Sequence, residues 1–210
     1  MTTVKICGLS TQETMQAALD AGADMVGLVF FPRSPRNVSL EQAVPLAAQA
    51  RGRAKIVVLT VDADDVLLKS IVNAVKPDYI QAHGSETPER VGEITTKFGV
   101  PVIKAIKVKE ASDISSAKAY KDVADLILFD AKAPEDLLPG GNGLSFDWNL
   151  LKGKDGQFML SGGLNPGNVA HAITLTRAPI VDVSSGVETT PGKKDISLIR
   201  KFIAAAKAAR

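Results

Sequence analysis

The sequence has little of what a disulfide-linked, metal-clustered or membrane-spanning protein needs. Its 210 residues include one cysteine and two histidines, which excludes an internal disulfide and a thiolate-based metal cluster. No apolar run reaches the roughly 18 residues that a membrane-spanning helix requires. The first residues contain neither a basic segment nor an apolar one, so we expect no secretory signal peptide. These features predict a cytoplasmic protein whose thiol stays reduced.

An excess of charge of one sign is also missing. The 25 lysine and arginine residues nearly balance the 23 aspartate and glutamate residues, and the net charge is +2. The basic residues are scattered, so we expect neither a nucleic-acid partner nor a membrane surface. No linker or low-complexity tract interrupts the chain, and its length suits one unit of ordinary size. The sequence therefore predicts a single domain over residues 1–210.

What the sequence does have is a regular alternation of short apolar runs with amphipathic segments. The runs of strand length are Thr3–Gly8, Met25–Phe30, Lys55–Val61, Tyr79–His83, Val102–Val108, Leu126–Ala131, Phe158–Gly162 and Ile180–Ser184. The segments with helical spacing are Thr11–Ala21, Leu40–Arg51, Asp64–Val75, Thr87–Phe98, Ala111–Lys121, Asn165–Thr176 and Asp195–Ala209, with a turn or two at Phe146–Leu151. Such alternation is typical of parallel strands joined by helical crossovers.

Eight strand–helix units in about 200 residues predict an α/β fold of the (β/α)8 TIM-barrel type. The competing architecture is an open doubly wound sheet, which usually has fewer strands. That sheet often carries Gly-x-Gly-x-x-Gly after its first strand, whereas Cys7, Gly8, Leu9 and Ser10 stand there in this chain. We therefore favour the closed barrel.

Polar side chains gather at the predicted carboxyl ends of the strands. They are Cys7, Arg36, His83, Asp130, Ser161–Gly163, Asp182 and Ser184–Gly186. In a parallel barrel these strand ends form one rim, and that rim carries the active site. We expect the polar groups to converge there, above an apolar lumen.

The two loops after the last two strands form the sharpest pattern on this rim. Small residues such as Gly162, Gly163 and Gly186 let backbone N–H groups approach a ligand closely, and the hydroxyl of Ser185 adds a donor. In TIM barrels this pair of loops commonly binds phosphate. The alternative is that the glycines only permit tight turns. Because both loops share the pattern, we predict a phosphate site.

The remaining rim residues each have a structural reading beside a chemical one. Cys7 is either a small buried side chain or a catalytic thiol, and Lys5 on the same strand face would stabilise its thiolate. Asp130 is either a turn residue or a rim carboxylate in use. His83 is either a core residue or a ligand, and no second histidine lies near it in the sequence to make a metal site. The guanidinium of Arg36 is either exposed to solvent or donates a pair of hydrogen bonds to a substrate carboxylate.

Eight strings of the sequence resemble the phosphoribosylanthranilate isomerase family. They are Val4–Leu9, Val26–Phe30, Ser34–Val38, Gln81–Gly84, Phe129–Ala131, Gly140–Trp148, Leu160–Val169 and Val181–Glu188. The strings span nearly the whole chain, and those around Cys7 and at Val181–Glu188 are specific. The third strand departs from the family pattern, as do Ala82 and Asn142, which affects details of the substrate pocket.

The resemblance implies a cofactor-free Amadori rearrangement in tryptophan biosynthesis. It makes Cys7 the general base and Asp130 the general acid, each with a pKa moved towards neutrality. Arg36 would hold the anthranilate moiety, and His83 and Asp182 are further expected substrate-binding residues. The expected phosphate-binding residues are Gly141, Gly143, Gly162, Gly163, Ser185 and Gly186. No metal, nucleotide or flavin is implied.

Three other functions compete with this one. The histidine-pathway isomerase performs the same rearrangement on a substrate with two phosphates, and it needs a second phosphate site on the opposite half of the barrel. The loop Asp62–Asp65 after the third strand is acidic and would repel that phosphate. A catalytically silent phosphosugar-binding scaffold and a metal-dependent epimerase are the other two. The oligomeric state is left open.

Overall fold

Eight parallel strands form a closed barrel in the computed structural model, which describes residues 2–132 and 140–209. The strands pair in sequence order, and β8 closes the ring against β1. They are β1 Thr3–Cys7, β2 Met25–Phe30, β3 Lys55–Thr60, β4 Tyr79–Ala82, β5 Val102–Val108, β6 Leu126–Ala131, β7 Phe158–Leu160 and β8 Ile180–Val183. The predicted TIM barrel is confirmed, and the open sheet is wrong.

Helices connect the strands around the outside of the barrel. They are α1 Gln12–Asp20, α2 Leu40–Ala50, α3 Asp65–Val75, α4 Pro88–Phe98, α5 Ala111–Ser116, α6 Val169–Thr176 and α7 Ile196–Ala208. Most begin where a short polar side chain accepts the N–H of an early helical residue, as Thr11 and Asp64 do. Such capping satisfies a donor that has no partner within the helix. None of the helices described is long and apolar enough to span a membrane.

Two predicted helices are shorter than expected for local reasons. The segment predicted over Ala111–Lys121 is α5 followed by a 3-10 helix at Ala117–Tyr120. The hydroxyls of Ser115 and Ser116 bond to backbone carbonyls there, which weakens a continuous α-helix. The segment predicted from Asn165 becomes helical only at Val169. Before that point the chain forms a turn held by asparagine side chains. The N–H of Asn165 donates to Asn168 Oδ1 at 2.8 Å, and the N–H of Gly167 donates to Asn165 Oδ1 at 2.8 Å.

A short hairpin follows the eighth strand and was not predicted. Its strands are β9 Glu188–Thr190 and β10 Lys193–Lys194, and a 3-10 helix at Ser185–Val187 precedes it. The hairpin is polar and only two or three residues long on each side, so it carries no strand-length apolar run. It brings Glu188 and Lys194 to the rim.

The strands separate two apolar layers. Outward side chains such as Val4 and Ile6 pack under the helices, while inward ones such as Met25 and Val57 fill the lumen. The expected apolar lumen is only partly present. Lys5 Nζ donates to Asp182 Oδ1 at 2.9 Å, and both residues are buried. These two positions are in register on adjacent strands, so the closure of the barrel pairs their charges.

Candidate active site

Cys7 ends β1 at the mouth of the barrel, where it is almost fully buried. Burial raises the pKa of its thiol, and the nearby carboxylate of Asp182 adds to the rise. The ammonium groups of Lys5 and Lys194 lower it by less. Lys5 therefore acts in the expected direction, but the predicted shift of the Cys7 pKa towards neutrality is wrong. Removal from water penalises the thiolate more than the two cations stabilise it.

Asp130 ends the apolar part of β6 and lies in a chain of three polar side chains. Its Oδ2 is 3.2 Å from His83 Nε2, and its Oδ1 accepts the N–H of Ala131 at 2.9 Å. His83 Nδ1 is in turn 2.8 Å from the amide nitrogen of Gln81. The Gln81 amide nitrogen thus faces Nδ1, and Nε2 is the ring nitrogen that faces Asp130. The chain fixes both the ring and the carboxylate.

Gln81 is buried and presents an unsatisfied oxygen. Its side chain lines the recess at the barrel mouth, and no described residue donates to its Oε1. A buried acceptor without a donor is costly unless a ligand supplies one. The amide therefore has one end committed to His83 and the other available to a bound molecule.

Arg36 is buried and already paired with a carboxylate of the hairpin. Its Nε and Nη2 donate to the two carboxylate oxygens of Glu188 at 2.8 and 2.7 Å, and Nη2 also donates to Gly141 O at 3.0 Å. Lys194 Nζ approaches the same carboxylate at 2.7 Å. Burial alone would raise the pKa of Glu188, but the charges and hydrogen bonds of Arg36 and Lys194 outweigh it and lower that pKa. Glu188 is thus a fixed anion that orients the guanidinium.

The glycine loops form a cavity of about 740 Å³ beside this cluster. The predicted phosphate residues that line it are Gly141, Gly143, Gly163, Ser185 and Gly186. A Cβ at position 186 would lie 1.9 Å from Leu164 O, and at position 163 it would lie 2.6 Å from Ser145 Cβ, with φ at +69°. Only glycine fits these two positions, so backbone rather than side chain faces the cavity there.

The remaining predicted residues line a smaller recess over the barrel mouth. Cys7, Arg36, His83, Asp130 and Asp182 surround about 50 Å³ of space. Gly140 and Gly141 border both cavities, and Gly162 lines a further small recess between them. The predicted rim residues thus lie in one continuous region, although their chemical roles stay predictions. Within residues 2–132 and 140–209, no three His, Cys, Asp or Glu side chains are arranged to hold a metal ion.

Comparison with known proteins identifies the family of this chain. The model of the N-(5'-phosphoribosyl)anthranilate (PRA) isomerase family matches residues 4–205. The chain belongs to this family. A curated relative from Rhodopseudomonas palustris (strain BisB5), named N-(5'-phosphoribosyl)anthranilate isomerase, is 57% identical over 98% of this chain and 95% of its own length. One from Rhizobium meliloti (strain 1021), with the same name, is 54% identical over 99% and 98%.

Solved structures agree with this family membership. The phosphoribosyl anthranilate isomerase of Thermotoga maritima superposes with a TM-score of 0.88 at 37% identity, covering 99% of both chains. A phosphoribosyl anthranilate isomerase solved in complex with reduced 1-(o-carboxyphenylamino)-1-deoxyribulose 5-phosphate superposes with a TM-score of 0.85 at 35% identity, again over 99% of both chains. This chain is therefore a member of an isomerase family with the barrel fold of its relatives.

Sequence reasoning missed several residues of the candidate site. Gln81 and Glu188 lie inside strings that carry the resemblance, yet they had no assigned role because neither stands out at a strand end. Lys194 lies in the unpredicted hairpin and had no local signal. Gly27, which leaves room for the Cys7 side chain, looks like any strand residue in the sequence.

Proposed function

We propose that the chain converts phosphoribosylanthranilate to 1-(2-carboxyphenylamino)-1-deoxyribulose 5-phosphate in tryptophan biosynthesis, without a cofactor, in the cytoplasm. One observation carries the proposal: Cys7 and Asp130 line one recess that adjoins a glycine-lined cavity. A thiol and a carboxyl group in that position supply the base and acid that an Amadori rearrangement needs. A family member was solved in complex with reduced 1-(o-carboxyphenylamino)-1-deoxyribulose 5-phosphate, which is the reduced form of the product proposed here. That complex supports the same substrate class.

The substrate would span the two adjoining cavities. Its phosphate would accept hydrogen bonds from backbone N–H groups of the loops at Gly163 and Ser185–Gly186. The segment Gly141–Gly143 lines the same cavity. Its anthranilate carboxylate would bind Arg36, whose Nη1 donates to no described residue. The pairing of Arg36 with Glu188 leaves this nitrogen held in place, so little side-chain entropy is lost on binding.

The first chemical step needs an acid at the furanose ring oxygen. Asp130 would donate its proton to that oxygen, the C1–O bond would break, and the ring would open to a protonated Schiff base. His83 and Gln81 hold the carboxyl group in one orientation. The orphan Gln81 Oε1 is available to accept a substrate N–H or O–H during this step.

The second step needs a base at C2. Cys7, as the thiolate, would remove the C2 proton, and the electron pair would move into the C1–C2 bond to give an enolamine that tautomerises to the ketose. The raised pKa of Cys7 makes its thiolate scarce at neutral pH but strongly basic. Lys5 lies two residues earlier on the same face of β1, where its ammonium offsets the thiolate charge.

The direct test is the loss of phosphoribosylanthranilate fluorescence on addition of the purified protein. We expect decay of the signal with catalytic amounts of enzyme. No decay, with retained binding of a phosphosugar product analogue, would instead favour a silent scaffold. Turnover of the bisphosphorylated histidine intermediate at a comparable kcat/KM would show that the substrate range is wider than one phosphate permits.

A further inference from the structure

A carboxylate of this chain lies in a site built like an oxyanion pocket. Glu86, in the loop after β4, has a side chain that is only 4% exposed. Its Oε1 accepts the backbone N–H of Asp62 at 2.9 Å, and its Oε2 accepts that of Gly84 at 2.9 Å. Lys104 Nζ donates to Oε2 at 2.7 Å. Converging backbone N–H groups and a lysine ammonium are what proteins present to phosphate.

The position of this site mirrors that of the glycine cavity. In a ring of eight strands, β3 and β4 lie opposite β7 and β8, and each pair contributes the loops of one site. Each half also has a residue with positive φ at the same distance after a strand. Asp62, two residues after the end of β3, has φ +49°, and Gly162, two residues after the end of β7, has φ +85°. The two sites thus have matching positions in the barrel, but the site at β3 and β4 is filled by a side chain.

Lys104 makes an anion at this point necessary. It is buried beneath the loop, and its other hydrogen-bond acceptors are the carbonyls of Gly84 at 2.9 Å and Ala82 at 3.4 Å. Neutral carbonyls do not balance a buried charge, so the ammonium requires a counter-ion. Burial alone would raise the pKa of Glu86, but Lys104 and the backbone N–H groups outweigh it and lower that pKa. Glu86 is held there as the anion.

The carboxylates of the acidic loop, which we expect to repel phosphate, each have donors of their own. Asp62 Oδ1 accepts the N–H of Ser85 at 2.7 Å, and Asp64 caps α3. Asp65 pairs with Arg90 at 2.7 Å and also with Lys97. These carboxylates are all engaged with donors, so their negative charge is partly balanced. Glu86 also occupies the donors that a second anion would need at this site.

We propose that Glu86 is the internal occupant of a second oxyanion site, and that removing its carboxylate allows the site to bind phosphate. Replacement by alanine vacates the carboxylate and its adjoining methylene, a volume close to that of an orthophosphate ion. The backbone donors at Asp62 and Gly84 and the Lys104 ammonium remain. The proposal concerns anion binding alone and holds whether or not the chain isomerises phosphoribosylanthranilate.

The test compares Glu86→Ala with the unmodified chain in inorganic phosphate at constant ionic strength, by calorimetric titration and thermal unfolding. We expect Glu86→Ala to bind one more phosphate per chain than the unmodified protein does. Phosphate at saturating concentration should raise its Tm by at least about 2 °C more than that of the unmodified protein. Phosphate bound in the glycine cavity does not affect these two differences, since both proteins share that cavity.

Two controls make the result specific. Glu89→Ala removes an exposed glutamate three residues away and should gain no phosphate site. The double variant Glu86→Ala/Lys104→Met keeps the vacated space without the buried cation and should also gain none. Equal stoichiometry in Glu86→Ala and the unmodified chain would overturn the proposal. So would a Glu86→Ala variant that stays unfolded at every phosphate concentration while the double variant folds.

Discussion

Cys7 on β1 is in register with Gly27 on β2, and a Cβ at position 27 would lie 2.9 Å from the Cys7 Sγ. It would also lie 3.0 Å from the Cys7 Cα, so the side chain cannot relieve the contact by rotation alone. The absence of a side chain at position 27 therefore sets where the thiol can lie. If Cys7 is the general base, Gly27 on the next strand determines the direction in which the thiol points.

Gly27→Ala should lower kcat by about 10-fold or more, because a displacement of the base by a fraction of an ångström disturbs proton transfer. KM should change less, since position 27 does not contact the glycine cavity. The measurement is steady-state kinetics alongside Gly92→Ala, a helical glycine where a Cβ meets only Val123, at 3.4 Å. If both variants turn over at the unmodified rate, Cys7 does not need its present position.

Cys7→Ser should reduce kcat by on the order of 10²–10⁴-fold, because a hydroxyl is a far poorer base than a thiol near neutral pH. The two side chains are similar in size, so binding of a product analogue should remain nearly intact. Kinetics and an equilibrium titration on the same preparation separate these effects. Turnover at the unmodified rate would remove Cys7 from the mechanism.

The rate of C2 proton removal, the step assigned to Cys7, should rise with pH across the range from roughly 7 to 9. Burial raises the pKa of Cys7 above its ordinary value of about 8.5, and only the deprotonated form is a base. Below the folded pKa, each unit of pH increases the thiolate fraction roughly tenfold. Single-turnover kinetics over this range provide the test. A rate of C2 proton removal that is flat across the range would argue that no buried thiol removes that proton.

Asp130→Asn should lower kcat by a similar factor, about 10²–10⁴-fold, because an amide cannot protonate the ring oxygen. The amide can still meet His83 Nε2, now 3.2 Å from Asp130 Oδ2, so we expect the fold to persist. Circular dichroism together with steady-state kinetics distinguishes lost chemistry from lost structure. Full activity in a folded variant would leave the general acid unassigned.

EDTA should leave activity unchanged, since proton transfers by a thiol and a carboxyl group suffice for the rearrangement. The assay is turnover before and after chelation, with Mg²⁺ and Zn²⁺ added back separately. Loss on chelation followed by recovery with one of these ions would support the metal-dependent epimerase instead.

The sequence alone was sufficient to predict the barrel and most of the residues on its rim. Strand and helix periodicities are local, and parallel strands joined by crossovers bring their carboxyl ends to one side. Cys7, Asp130 and the loops at Gly162–Gly163 and Ser185–Gly186 could therefore be placed together from their order along the chain. The resemblance then identified a family that the comparisons confirm.

Only the tertiary structure decided how those groups are charged and paired. Arg36 binds Glu188 across 152 positions of sequence, and Lys5 meets Asp182 across 177, because closing the barrel brings its two ends together. The pKa of Cys7 rises because burial outweighs nearby lysines. That balance depends on how much water the packed barrel removes, a quantity set by residues from the whole ring and absent from any local pattern.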